Sequence, residues 1–407
     1  MSKARGWSLD KVWKSAPAKS ALSPAEKAKV VFQLGQVAWK LGQVRFDQIG
    51  SLFEKNGTFV VGECLSRAHI LHQRHSLEEV ARGPFANERE FYNSLISAFT
   101  IHAETLPMTH HCFAAPLPSP SDFETYEDYG KACDLWNDFV AVGAKIDTAT
   151  NRLDYIIAGD ALHDLINLKI QTWPEITLAS PFALHHPDLS VNNIFVDDDY
   201  NITGIIDWSF STTAPLSWLL TPPGLPQSRN PLEADLLLAF RNGYEEASHS
   251  TSHTIPEHRS DDGEFLASSA ISFLKDSRFV WSLSRLLAFD STDDLSLFQT
   301  LWEAVHPSDS QELEPYMSAK RALPHYQRLY QEVRSEDQSI AQVQKLEAES
   351  FTRHTVDLPL ARYLTLMSQW NFQYDQPFPS HIRQARPMFI AEPRLWRWVN
   401  KFKESRL

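Results

Sequence analysis

"HHPDLSVNNIFVDDDYNITGIIDWS", residues 185–209, places an Asp two residues after a His, an Asn five residues further on, and a second Asp at the end of an apolar run. The apolar runs at 194–196 and 202–206 flank Asp197-Asp198-Asp199, residue types that favour a turn, so the pattern predicts a β-hairpin entered from a loop. Such a hairpin sets residues 193 and 207 side by side at one end and closes a sequence gap of 14 residues.

The residue types at that end suit one kind of chemistry. Asp188, in a loop directly before a strand, is a carboxylate that can orient a substrate hydroxyl and accept its proton. Asn193 offers a neutral oxygen and Asp207 an anionic one, a pair suited to Mg²⁺, which takes one or two carboxylates and completes its shell with substrate phosphates. Taken singly, each is also an ordinary turn residue.

Working outward, Ser23, Pro24 and Glu26 form a capping box with Pro at the first helical position. Val30, Leu34, Val37, Leu41 and Val44 then follow at helical spacing, one expected buried face. "GSLFEKNGTFVVG" reads as a hairpin turning on Asn56-Gly57. Periodicity predicts helices at about 87–105, 122–146 and 160–172. "TTAPLSWLLTPPGLPQSRNP" is expected to be irregular because of its prolines. From about residue 231 the pattern is helical, broken by an expected exposed loop at 247–263. The fold class is therefore mostly α, formally α+β, with short hairpins. The division expected is a core at 1–245 and a helical C-terminal region at 246–407 that completes or extends it.

Composition limits the partners. The 407 residues are 43% hydrophobic and rich in Trp, Tyr and Phe (12, 11 and 24), which indicates a packed core rather than disorder. A formal charge of −13 disfavours nucleic acid and anionic membrane, which need a concentrated positive field. It suits a cationic small molecule, although solubility is the simpler account. Three cysteines, Cys64, Cys112 and Cys133, without a CxxC pair exclude a disulfide scaffold and suit a reducing compartment. With no signal-like apolar run at the N-terminus and none long enough to span a bilayer, a cytoplasmic protein is expected.

His186-Pro187-Asp188-Leu189-Ser190-Val191-Asn192-Asn193, followed by Gly204-Ile205-Ile206-Asp207-Trp208, resembles the catalytic core of the aminoglycoside phosphotransferase and choline kinase family, which shares the protein-kinase-like fold. "FDQIGSLFEKNGTFVVG" and the proline-rich segment after I-D-W resemble the flanking parts of one branch of that family, in the same order, so that the likeness covers roughly residues 1–245. The resemblance implies ATP-dependent transfer of a phosphoryl group to the hydroxyl of a small molecule. Asp188 would be the catalytic base, His186 the organiser of the catalytic loop, and Asn193 and Asp207 the Mg²⁺ ligands. Pro187 departs from the family, which usually carries Gly there.

The resemblance also implies parts that these residues lack. None of the 14 glycines forms a G-x-G pair, and "GTFVVGE" is not followed by Lys-Ser or Lys-Thr, so neither a glycine-rich phosphate cover nor a P-loop is present. "MSKARGWSLDKVW" resembles the hinge into the family's large lobe, which implies that the β-rich N-terminal lobe is missing. A truncated enzyme, a degenerate relative, and an enzyme with a different lid are all compatible with this. The expectation is a weak kinase at best, and the alternative is a catalytically silent pseudokinase serving as a binding or scaffold module. Substrate identity and oligomeric state have no sequence signal.

Other clusters carry less. His69, His72 and His75 are neighbours if helical, which makes a metal site conceivable, but nothing in sequence completes it and satisfied or solvated histidines are the simpler reading. His110-His111-Cys112 reads the same way, and His185 as a packing residue. A Ser-His-Asp hydrolase is disfavoured by the absence of G-x-S-x-G. Arg82-Gly83-Pro84 is expected to be a turn, with Glu88 and Glu90 early in the next helix. The related branch carries a similar R-G-P-F near its substrate side, which implies a binding role there.

Overall fold

The computed structural model describes residues 4–13, 22–106, 149–173, 181–226, 231–251, 277–289, 294–306 and 312–334, together with Met108, Thr125, Tyr126 and Leu274. The expected helix at 122–146, apart from Thr125 and Tyr126, lies outside the described residues, as do His110-His111-Cys112 and everything after 334. The protein is a mixed helix and sheet structure, mostly helical, with small antiparallel sheets. Among the described residues no helix is long and apolar enough to cross a membrane. The described residues of 1–101, 159–290 and 294–311 form one compact unit and those of 102–158 and 312–334 another.

In the first unit, helix α2 (Pro24–Gly42) begins with the capping box: Ser23 Oγ accepts the Glu26 N–H, and the Glu26 carboxylate accepts the Ser23 N–H at 2.7 Å. It follows β1 (Trp7–Ser8) and α1 (Asp10–Trp13). Its buried face differs from the one expected. Val30, Val31, Leu34, Gly35, Ala38, Trp39 and Gly42 are buried, whereas Val44 lies beyond the helix end and is 53% exposed. The physical reason is a close crossing with a later helix at Ala234–Thr251. A Cβ on Gly35 would collide with the carbonyl of Phe240, and one on Gly243 with the carbonyl of Phe32. Trp39 meets Tyr244 edge-on at 5.4 Å beside this crossing. The Ala234–Thr251 helix also runs through the boundary expected between 245 and 246 and makes the start of the expected 247–263 loop helical.

After α2 come β2 (Arg45–Phe46) and the hairpin β3 (Ser51–Lys55) and β4 (Thr58–Gly62). That hairpin turns on Asn56 and Gly57, with φ of 55° and 76°, as an Asn-Gly pair permits. The helix expected at 87–105 is α4 (Glu88–Thr105), preceded by the short α3 (Arg67–Ile70). Asn87 Oδ1 accepts the Glu90 N–H at 3.0 Å at its start. Helix α5 (Ala149–Ile170) starts earlier than its expected limit of 160.

β5 (Phe182–His185), β6 (Ile194–Val196), β7 (Ile202–Ile205) and β8 (Thr212–Ala214) complete the strands. β6 and β7 are the predicted hairpin, in register Ile194↔Ile205, and β1 adds a third strand beside β6. β2, β5 and β8 form a second sheet in that order. The proline-rich stretch is more ordered than expected, because it holds β8 and the helix α6 (Leu216–Leu219), both buried. The remaining described helices are α7 (Ala234–Thr251), α8 (Ser277–Leu287), α9 (Asp294–Val305), α10 (Leu313–Arg321) and α11 (Pro324–Arg334).

One core joins these parts of the first unit: Leu9, Trp13, Val30, Leu34, Ile194, Val196, Leu216 and Phe240 are all buried in it. Gln33 fastens α2 to the hairpin directly. Its Nε2 donates to the Tyr200 carbonyl at 3.0 Å, and its Oε1 accepts the Ile202 N–H at 2.9 Å. The hairpin is thus held between α2 and β1, and the Asp10 N–H just after β1 donates to the Val191 carbonyl in the loop before β6 at 3.0 Å.

Candidate functional site

The loop between β5 and β6 is organised by His186, which is buried. Its Nδ1 lies 3.2 Å from the Asp188 backbone nitrogen and its Nε2 2.9 Å from the Ile206 carbonyl. Nδ1 must accept the amide hydrogen, so the proton sits on Nε2 and is donated to Ile206. Both nitrogens are therefore used by the neutral ring. Burial pushes the imidazole below its usual range, although the Ile206 bond and the nearby Asp188 and Asp207 charges oppose that shift. The ring also meets Trp208 edge-on at 4.8 Å.

Asn193, also buried, closes the other side of the loop. Its Nδ2 donates to the Asp188 carbonyl at 2.9 Å, which orients the amide and turns its oxygen away from that contact. Its own carbonyl accepts the Ile206 N–H at 3.0 Å, the rung that continues the hairpin ladder. Asp207 follows at once, in the left-handed region with φ of 58°. A non-glycine residue there is uncommon, and such conformations concentrate at functional sites. Asp207 is exposed, as are Ile206, Trp208 and Phe210 around it. His186, Asp188 and Asn193 thus share one hydrogen-bonded cluster, and Asp207 is the next residue along the backbone from its Ile206 corner.

Arg67, at the start of α3, was invisible to sequence reasoning. Its Nη1 lies 3.6 Å from Asp188 Oδ1, across 121 residues of chain, with the aspartate side chain 41% exposed. No local pattern marks such a partner; only the fold supplies it. A cavity of about 110 Å³ lies beside the loop, with Arg67, His186, Pro187 and Leu189 in its wall together with Trp218 and Trp281. His185 packs edge-on against Trp218 at 5.5 Å, as expected of a packing residue, and burial pushes it down to about 3.

The remaining candidates resolve as structure. α3 ends at Ile70 and His72 has φ of 55°, so His69, His72 and His75 do not share a helix face. His69 is buried. Ser94 Oγ donates to the Ala81 carbonyl, so at 2.8 Å it accepts from His69 Nε2, and Ser66 Oγ must donate to Nδ1, also at 2.8 Å. Burial pushes His69 down to about 3, with Arg74 and Arg82 adding to the effect. Arg82 is spent on the carbonyls of Arg74 and Leu77, at 2.8 and 2.9 Å, rather than on a ligand. Asp197 accepts from the backbone of Asp199 and Asn201 at 3.0 and 2.8 Å, so the acidic run is a hairpin tip. Among the described residues, no three His, Cys, Asp or Glu side chains converge as a metal cluster.

The donor set nevertheless fits Mg²⁺. Asn193 and Asp207 provide hard oxygen donors, one neutral and one anionic, a pair that relies on substrate phosphates and water for the rest of the shell. No protein-family model matches the chain, and neither a curated protein nor a solved structure matches it.

Proposed function

We propose that the protein is a small-molecule kinase of the aminoglycoside phosphotransferase and choline kinase type, transferring the terminal phosphoryl group of ATP to a substrate hydroxyl. In this reading the helices and the β6–β7 hairpin of the first unit correspond to the large lobe of a protein-kinase-like fold. The observation that carries it is the double hydrogen bond of His186, from the Asp188 amide to the Ile206 carbonyl, which ties the loop of the base to the corner of the metal ligand.

Asp188 would accept the hydroxyl proton, and a positioned base of this kind is worth about 10²–10⁴ in rate. Arg67, which lines the cavity, pairs with that carboxylate at 3.6 Å, and the Asn193 amide fixes the carbonyl of the same residue. Asn193 Oδ1 and the Asp207 carboxylate would hold Mg²⁺. When bound, the ion would neutralise charge on the phosphates.

A second reading is a catalytically silent binding module. It is favoured by the lack of any G-x-G pair in the 407 residues and by the Arg67 ion pair on the proposed base. Losing one preorganised charge donor commonly costs about 10²–10³ in rate, so turnover is expected to be slow.

Calorimetric titration with ATP, with and without Mg²⁺, followed by a turnover assay, separates the readings. The kinase reading expects Mg²⁺-dependent binding that Asp207→Asn weakens, and slow turnover that Asp188→Ala abolishes. Binding with turnover indifferent to Asp188→Ala would leave only the silent module. Absence of Mg²⁺-dependent ATP binding would sink the kinase reading and leave the silent module.

A further inference from the structure

The cavity beside the Asp188 loop reaches that loop on both sides of the aspartate, since Pro187 and Leu189 are in its wall. Much of the rest is apolar, with Leu34, Leu41, Phe240 and the indole of Trp218 among the lining groups. The charged residues of the wall are already engaged: Arg67 pairs with Asp188, and Arg285 stacks over Trp281 at 5.2 Å. An ionic ligand would give up its hydration for charges committed elsewhere, a costly exchange.

Several hydroxyls in the wall are also spent inside the protein. Ser66 Oγ donates to His69, Thr221 Oγ1 to the Ser217 carbonyl at 2.8 Å, and Ser284 Oγ to the Trp281 carbonyl at 2.9 Å. The Trp281 indole N–H differs, because it is buried without a hydrogen-bond partner. So does His185, which its register with Thr212 sets into the wall. Its ring meets Trp218 edge-on, but among the described residues neither ring nitrogen has a hydrogen-bond partner. Burial holds this imidazole neutral, so it presents one donor and one acceptor. Buried polar groups of this kind are normally satisfied by water or a ligand.

Size narrows the choice. An apolar cavity of about 150 Å³ accepts benzene, so the roughly 110 Å³ here suits a smaller body of about four non-hydrogen atoms. We propose that the cavity binds a small uncharged alcohol, its hydroxyl hydrogen-bonded to the imidazole of His185 and its carbons against the apolar wall. A hydroxyl both donates and accepts, so it meets the imidazole in either tautomer. Identifying the alcohol as the phosphoryl acceptor rests on the reading given under Proposed function; its binding does not.

Three probes of similar size test this on the full chain without nucleotide: 2-propanol, 2-chloropropane and the isopropylammonium ion, titrated by NMR with the histidine ring nitrogens labelled. Saturable binding of 2-propanol is expected at about millimolar concentration, as about four non-hydrogen atoms allow, with a shift of the His185 ring nitrogens. Isopropylammonium should bind more weakly. His185→Phe should weaken 2-propanol relative to 2-chloropropane by about two- to tenfold, the range that one hydrogen bond supplies. The His185 signals of the unmodified protein stand as evidence even where that variant fails to fold. A cavity that holds only water would show no saturable 2-propanol binding, which overturns the proposal. So do binding that leaves the His185 nitrogens unmoved, tighter binding of isopropylammonium, and an unchanged ratio in a folded His185→Phe variant. A protein that binds Mg²⁺ and ATP but not 2-propanol loses this inference alone, and one that binds 2-propanol but no nucleotide loses only the kinase reading.

Discussion

The side chain of Asn193 holds the backbone of Asp188, with Nδ2 donating to its carbonyl at 2.9 Å. The cation-binding role proposed for Asn193 and its role in shaping the loop therefore fall on the two ends of one amide. Asn193→Asp keeps the size but turns a donor into a carboxylate facing a carbonyl in a buried position. It should cost about 1–3 kcal/mol in urea denaturation, the penalty for an unsatisfied buried group. Asn193→Ala should cost a similar amount.

The crossing of α2 and α7 should tolerate no added methyl. Gly35→Ala and Gly243→Ala each drive a Cβ into the opposite helix backbone, which cannot move aside as a side chain would. Each is expected to lower stability by at least about 1–3 kcal/mol, although alanine is the better helix former. Gly204→Ala is the matched control, because a methyl there would meet no atom within 4 Å, and it should leave the denaturation midpoint nearly unchanged.

Thr213 fastens β8 to the segment before β3. Its buried hydroxyl accepts the Gly50 N–H at 2.9 Å and donates to the Gln48 carbonyl at 2.7 Å. Thr213→Val has the same shape and strands both partners. A loss of about 1–3 kcal/mol is expected, and faster hydrogen exchange at the Gly50 amide would localise it.

Stability should fall as pH drops below the ordinary histidine range. His69 and His185 are pushed from 6.5 to about 3 and His186 in the same direction, each chiefly by burial. Between the folded and unfolded values the unfolded chain binds more protons, so their stabilising contribution is complete above the unfolded value and is lost as pH falls. Each contributes a slope of up to about 1.4 kcal/mol per pH unit. Denaturation curves at pH 7, 6 and 5 for the unmodified protein and His69→Gln check this, and the variant should show the shallower dependence.

The β6–β7 hairpin and the Asn56-Gly57 turn were legible because alternation and turn chemistry are local signals. So was the capping box at Ser23. The buried seam of α2 was not, because Gly35, Ala38 and Gly42 carry little hydrophobic weight, and the close approach at Gly35 depends on the helix Ala234–Thr251, far away in sequence. Strands such as Trp7–Ser8 and Arg45–Phe46 are too short for any period to register. In the candidate site, the residues of one contiguous motif could be named in advance. Arg67 and Arg285 could not, because neither has a local pattern linking it to Asp188 or to the cavity.

The strand Trp7–Ser8 pairs with Phe195 and Val196, and Leu9 and Asp10 donate onward to Ile194 and Val191. Two of the three strands bearing the candidate site are neighbours in sequence, while the third must wait for a partner nearly 190 residues downstream. During synthesis the hairpin can form by itself soon after it emerges, but its outer edge stays open until the early segment returns. Closing so long a loop costs entropy that only the finished core offsets, so the loop that carries Asp188 should be among the last regions to become protected.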